Sequence, residues 1–435
     1  MRITAPPLLR GAGRRTGATT WVVLGSLVSG VAAYLFQIAG TRSLGEEAYA
    51  PISVLWTIQY LIIAIVLLSV EANLTRAVTL ADGAPGVVRR QTAAVTAWLT
   101  VIAALIGGLT FAYREALFGG LGELAAVAAL LVLSYGVLVM LRGWLAGVGR
   151  FRSYGIVTGG ESVARLLVTL AVLSVVATPT ALAWVMPLGP GIVLAWFLRE
   201  RRRPQAAEGE APAPPPPPES STTRFLASTT LANAASQSLL AAGPLVLILL
   251  GAAAGEVSVF FVTVTAARVP LVFAVGGMLS RVLPPLTRMA RRGEWARLRR
   301  IALVLGGATL LVAALGAAVT WWLGPPVIAL LFGASFRPPS WFAATAAATV
   351  LLACGALLLN QLLIGMRAES RLVAPWLAGL AAGVTLVAVL AGTPTLRVAI
   401  AFMIGELVAL LSLLVAVLAS ARGRARAFAA ASDDS

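Results

Sequence analysis

The residues with the most chemistry to offer are charged side chains embedded in apolar sequence. Glu71 with Arg76, Glu161 with Arg165, Arg268, and Glu406 all lie within or at the ends of long apolar stretches. A charge at the centre of a bilayer costs roughly 2.5–3.5 kcal/mol on insertion scales, so such groups face partners or a watery cavity. A guanidinium binds two phosphate oxygens at once and suits an anionic headgroup. A buried carboxyl can instead hold a proton or Na⁺. What is missing narrows the chemistry further. The chain has no histidine, which removes His-based acid–base relays, Ser-His-Asp and Cys-His nucleophiles, and HExxH zinc sites. Its one cysteine, Cys354, sits in an apolar run and can form neither an internal disulfide nor a thiolate cluster. No metal, no cofactor and no enzymatic activity are expected.

Taken singly, these residues divide. Arg268 lies about eleven residues below the outer end of its stretch, roughly 16 Å deep and near the midplane. Capture of an anionic headgroup and pairing with a carboxylate to lock the helices both stay open for it. The nearby Pro270 removes a backbone donor and can bend the helix. Glu71, Asn73 and Arg76 cluster at one end of their stretch. Arg76 reads as snorkelling to the interface, while Glu71 stays open between site and structure. Glu161 and Arg165 stand four apart with the acid first, the favourable order for an intrahelical ion pair, and read as structural. Glu406 has no local partner. It is an ion-coupling candidate, or else a protonated carboxyl hydrogen-bonded between helices. Gln37, Gln59, Asn233, Gln237, Asn360 and Gln361 can hydrogen-bond across helices, at about 0.6 kcal/mol each. Gln37 and the pair Asn233/Gln237 fall on corresponding spans and rank higher, as substrate contacts.

The elements that must position these residues are membrane helices. The 435 residues are 59% hydrophobic and 11% charged, with mean hydropathy +0.92, against about 25% charged in soluble domains. A water-soluble fold is excluded. Stretches of about 20 apolar residues, enough to cross the hydrocarbon, fall at 20–40, 52–75, 92–113, 123–146, 155–177 and 181–199. Six more follow at 225–250, 257–281, 300–323, 340–366, 372–392 and 396–420. The fold class is therefore all-α and polytopic, with about twelve spans in two six-helix bundles.

All 33 basic residues are arginines, and the formal charge is +16. Alternating the spans from a cytoplasmic N-terminus leaves only Arg42, Arg114, Arg337 and Arg397 outside, with Arg165 and Arg268 within spans. That bias is the positive-inside pattern, and it names the membrane rather than nucleic acid as the partner of the charge. Both termini are expected in the cytoplasm. The Arg14-Arg15 pair precedes an apolar run without a clear small-x-small cleavage site, so that run reads as a retained first span.

A cytoplasmic N-terminal segment, 1–19, leads into a first bundle at 20–200. A proline-rich linker at 201–223 separates it from a second bundle at 224–421, and a cytoplasmic tail follows at 422–435. Proline at the density of Pro214–Pro218 favours an extended, solvated chain. The halves echo each other: Leu74-Thr75-Arg76 ends span two and Leu286-Thr287-Arg288 ends span eight. Six being even, the two halves would be parallel repeats, with the substrate path between them.

Arg42-Ser43-Leu44-Gly45-Glu46-Glu47-Ala48-Tyr49 resembles the R-x-L-G-x-x-x-aromatic pattern of polysaccharide exporters, the O-antigen flippase branch of the MOP superfamily. Arg142 to Phe151 after span four, Arg268 with Pro270, and Leu331-Phe332-Gly333 before span ten resemble the same family in order. The resemblance implies a MATE-like pair of six-helix bundles that flips lipid-linked oligosaccharide on a polyprenyl (pyro)phosphate across a bacterial cytoplasmic membrane. It implies that Arg42 and Arg268 contact the anionic headgroup. Gln37, Glu71, Asn73, Asn233 and Gln237 would face the glycan. Membrane lipids, the lipid-linked glycan and polysaccharide assembly proteins would be the partners. Three rival functions stand beside this one. An H⁺- or Na⁺-coupled multidrug exporter of the same superfamily would call for more acids than Glu71 and Glu406. A membrane glycosyltransferase would call for catalytic carboxylates and a long outer loop. A non-transporting component of a polysaccharide assembly complex would use the arginine-rich inner surface for docking.

Overall fold

Helices dominate the computed structural model, which describes residues 8–80, 85–200, 222–269 and 276–433 and has no strand among them. Most of the proline linker, and Pro270 with the bend expected there, lie outside the described residues. The chain runs through α1 (Leu8–Leu61), a π-helical segment (Ile62–Leu67), α2 (Leu68–Leu80), α3 (Pro85–Ala112), α4 (Arg114–Phe118), α5 (Glu123–Gly147), α6 (Phe151–Leu173), α7 (Pro179–Val185) and α8 (Leu188–Glu200). It continues through α9 (Thr222–Ala241), α10 (Gly243–Leu249), α11 (Ala254–Ala267), α12 (Gly276–Arg291), α13 (Trp295–Phe332), α14 (Ser340–Gly365), α15 (Val373–Val389) and α16 (Pro394–Asp433).

The expected spans each have a helical counterpart, though not always as one straight rod. Thr20–Thr79 is 60 residues of apolar helix, about 90 Å end to end against a hydrocarbon core of about 30 Å. Its regular backbone is interrupted at Gly45, whose φ of 77° and ψ of 176° are not helical. That region of backbone space is open essentially to glycine alone. No atom lies within 4 Å of where a Cβ would sit, so Gly45→Ala is expected to cost about 1–3 kcal/mol through backbone strain, read as a drop in thermal stability of the purified protein. Span seven is broken into α9 and α10, bent by 65°. Span eight begins as the 14-residue α11.

The helices pack as two units, residues 1–44 with 66–217 and residues 45–65 with 218–435. The stretch 45–65, placed by sequence in the first bundle, thus groups with the second. Its contacts explain why. Tyr49 is fully buried against the rings of Phe261 and Phe336, at 6.5 and 6.3 Å, and Asn233 Nδ2 donates to the Ala64 carbonyl at 2.7 Å.

In the first unit α2 and α3 both lie on α5, and α6 packs on α8. In the second, α13, α14 and α16 enclose the main core around Leu359, Leu363 and Leu413, while Trp376 of α15 donates its indole N–H to Asn360 at 3.2 Å. The repeated tripeptides play one structural part. Leu74 seats against Gly143 of α5 and Leu286 against Gly365 of α14, in each case near where the glycine's Cβ would be, at 3.2 and 3.1 Å. Their arginines, Arg76 and Arg288, are exposed.

Candidate functional site

The polar centre of the second unit starts from a proline. Pro244, at the start of α10, has no N–H to return to the carbonyl four residues back, which belongs to Leu240. An orphaned carbonyl in an apolar setting needs a donor, and the Arg268 guanidinium supplies it through Nη2. Arg268 follows the last turn of α11, its own N–H bonded to the Val264 and Thr265 carbonyls. The sequence placed it mid-helix; it stands instead at a helix end, half-buried. Its guanidinium also lies over the Tyr60 ring, 5.1 Å from the centroid, and the Tyr60 hydroxyl donates to Gln237 Oε1 at 2.8 Å. One helical turn earlier on α9, Asn233 reaches the π-helical segment through Ala64. Two irregular pieces of backbone are thus each satisfied by a polar side chain.

Beside this chain of contacts lie two chambers of about 10 Å³ each, bordered in common by Leu240, Phe260 and Val264. Each is about the size that holds one water. Arg268, Tyr60 and Trp56 line one of them, and Thr349 and Phe402 the other.

Glu406 is fully buried on α16, and neither carboxyl oxygen has a hydrogen-bond partner among the described residues. Among the described residues no side chain makes the interhelical hydrogen bond that the sequence left open for it. Among the described residues no group of three or more histidine, cysteine or acidic side chains is arranged to hold a metal ion.

The first unit holds two further clusters. Glu161 and Arg165 form the expected ion pair, 3.6 Å apart and almost fully buried. Glu161 also accepts from Tyr135 and from Ser162, both at 2.8 Å. Nearer one end, the Glu71 carboxylate lies 2.9 Å from Arg142 and accepts from the Tyr154 hydroxyl at 2.7 Å. Arg76 and Glu71 border a groove of about 490 Å³ on one face of α2.

Of the residues singled out by sequence, the structure gathers Arg268, Gln237 and Asn233 around one set of contacts, while Glu406 is buried apart on α16. Glu71 is drawn into an ion pair on α5. Arg42 and Asn73 are exposed, and Gln37 is buried with its Oε1 unpaired among the described residues. Sequence reading missed Tyr60, which joins Gln237 to Arg268, and Tyr154, which joins Glu71 to Arg142. Pro244 was the legible signal: a proline inside a span announces a free carbonyl four residues earlier.

No family model matches the chain, and no curated protein does. Solved structures do. An inward-facing multidrug resistance MATE family transporter of the MOP superfamily aligns over 92% of this chain and 95% of its own, at TM-score 0.67 and 14% identity. The chain has the fold of the MATE transporters. An outward-facing structure with the same description aligns over 94% and 96%, at TM-score 0.54 and 15% identity. A mutant of the Vibrio cholerae MATE transporter VcmN aligns over 94% and 98%, at 0.53 and 18%. In this chain the MATE-like fold carries Arg268 at the break of span seven.

Proposed function

We propose that the protein is a transporter of a bacterial cytoplasmic membrane. It moves an oligosaccharide linked to a polyprenyl (pyro)phosphate across the bilayer by alternating access. The observation that carries this reading is Arg268, a guanidinium set in an apolar unit on a carbonyl freed by Pro244 and an aromatic ring. With a phosphate a guanidinium forms paired charge-assisted hydrogen bonds. Tyr60, Gln237 and Asn233 line up beside it as hydroxyl and amide groups of the kind that bind sugars. Arg42, Gln37, Glu71 and Asn73 complete the proposed substrate contacts.

The test is the inner-leaflet pool of lipid-linked glycan in cells lacking the protein. Wild type is expected to clear the pool, and Arg268→Gln, matched for expression and thermal stability, to clear it about ten- to a hundredfold more slowly, the worth of one or two charge-assisted hydrogen bonds. Clearance by Arg268→Gln at the wild-type rate would refute the assignment of Arg268. Absence of any pool would refute the substrate.

A second reading, a multidrug exporter, is favoured by the solved structures of this fold described as multidrug resistance transporters. Against it, a guanidinium at the polar centre repels cationic drugs. Export of a cationic dye that Arg268→Gln leaves intact would support that reading over the first.

A further inference from the structure

One end of the second unit carries a concentration of charge that the reading above does not use. Three segments meet there: the turn from α12 into α13 (288–300), the turn between α14 and α15 (366–372) and the end of α16 (420–426). Leu286, just ahead of the first, seats against Gly365 at the end of α14. The Arg424 guanidinium of α16 donates to the Arg367 carbonyl at 3.0 Å, and Arg371 donates to Ser420 Oγ at 3.0 Å. Together the three segments hold eleven arginines and two glutamates. One of those acids, Glu294, is already taken by Arg297 at 3.1 Å.

Like charges gathered in one place repel, and the two hydrogen bonds that tie α16 to the 366–372 turn end on neutral groups, a carbonyl and a hydroxyl. The backbone is strained at the same point. Arg367, at φ 53°, is the one non-glycine residue with positive φ among the described residues, a conformation that persists only where its surroundings hold it. The flanks of the cluster identify what lies against it. Val304 and Leu311 follow Arg300 on α13 by four and eleven residues, and Val415 and Leu411 precede Arg422 on α16 by seven and eleven. Those spacings put each set on one face of its helix, and all six residues are exposed. An exposed apolar stripe on a membrane helix faces acyl chains. The arginine at its foot, about 6 Å along α13 and about 10 Å along α16, therefore stands at the depth of the lipid headgroups.

We infer that this end of the second unit is a binding surface for anionic phospholipid headgroups, whose phosphates lie between the 366–372 turn and the end of α16 and hold the two together. A phosphate accepts from guanidinium groups in pairs, which cancels the repulsion and leaves the Arg424–Arg367 and Arg371–Ser420 hydrogen bonds in place. The surface is more than the bias of arginines to one side of a membrane. That bias acts on each loop singly and sets orientation, whereas here the fold brings three loops to one place, and clustered arginines beside membrane helices attract anionic lipid. The inference is independent of Arg268 and of the transported substrate.

The experiment compares the full chain in nanodiscs of phosphatidylcholine alone and of phosphatidylcholine with phosphatidylglycerol, reading amide hydrogen exchange in peptides that cover 366–372 and 420–426. In wild type, phosphatidylglycerol is expected to slow exchange of both segments about five- to thirtyfold, the worth of one or two arginines at an anionic surface. The double variant Arg422→Gln with Arg426→Gln leaves both hydrogen bonds untouched and separates repulsion from lipid contact. In phosphatidylcholine it should exchange more slowly than wild type, because less charge repels, and from phosphatidylglycerol it should gain less than half the wild-type factor. Equal exchange of wild type in the two kinds of disc, or a double variant that keeps the whole wild-type gain, would overturn the surface. Inorganic pyrophosphate reproducing the gain in phosphatidylcholine discs would overturn the lipid as occupant in favour of a soluble phosphate. Sodium chloride reproducing it would reduce the effect to screening and overturn the site.

Discussion

Replacing Arg165 by methionine is expected to destabilise the first unit by about 3–5 kcal/mol, because it leaves a buried carboxylate without its countercharge. Arg165 and Glu161 expose only 4% and 5% of their side chains, so water cannot take over. The loss should fall near the lower end of that range, since Tyr135 and Ser162 still donate to Glu161, each at 2.8 Å. The double variant Glu161→Gln with Arg165→Met should recover most of the loss, a neutral pair of similar volume being nearly as good as a buried ion pair. Unfolding in mixed detergent micelles measures both. A single variant within about 1 kcal/mol of wild type, or a double variant no better than the single, would refute the assignment of this pair to structure. A double variant that is stable but fails to clear lipid-linked glycan would move the pair into the transport cycle.

The pair was legible because spacing alone decides it: an acid four residues ahead of an arginine on a helix has little choice of partner. The spans were legible for a similar reason, as length and apolarity are local properties and the arginine bias checks their order. What sequence could not provide was partnership across long separations. Glu71 stands in sequence beside Asn73 and Arg76, yet its ion pair is with Arg142, 71 positions away. The apolar depth of Arg268 is legible in sequence, but its contact is not: that follows from Pro244, whose missing N–H leaves the Leu240 carbonyl to be satisfied. The grouping of residues 45–65 with the second unit was hidden too. It depends on the Tyr49 ring meeting Phe261 and Phe336 and on a π-helical segment that no periodicity announces.

Gly155→Leu should be the most damaging single change in the first unit outside its charged residues, at or beyond about 3 kcal/mol, the upper end of ordinary overpacking. A Cβ on Gly155 would stand 2.2 Å from the Trp21 carbonyl oxygen, and one on Gly25 would stand 2.3 Å from the Gly155 carbonyl oxygen. Both obstacles are backbone, so no rotamer change relieves them, and α1 and α6 would have to separate. Gly136 makes the contrast: its Cβ would meet Leu99 Cδ1 at 2.6 Å, the far end of a side chain that can swing away, so Gly136→Ala should cost less than about 1.5 kcal/mol. Separation of α1 from α6 also pulls apart the Ser29–Ser162 hydrogen bond of 2.8 Å, in which Ser29 donates because the Ser162 proton goes to Glu161, and so loosens the support of Ser162 beside the ion pair. Gly155→Ala and Arg165→Met should therefore be non-additive, with a coupling of about 0.5–3 kcal/mol. Strict additivity in unfolding experiments would mean that the helix contact and the buried ion pair are independent, and that the close approach of α1 to α6 serves packing alone.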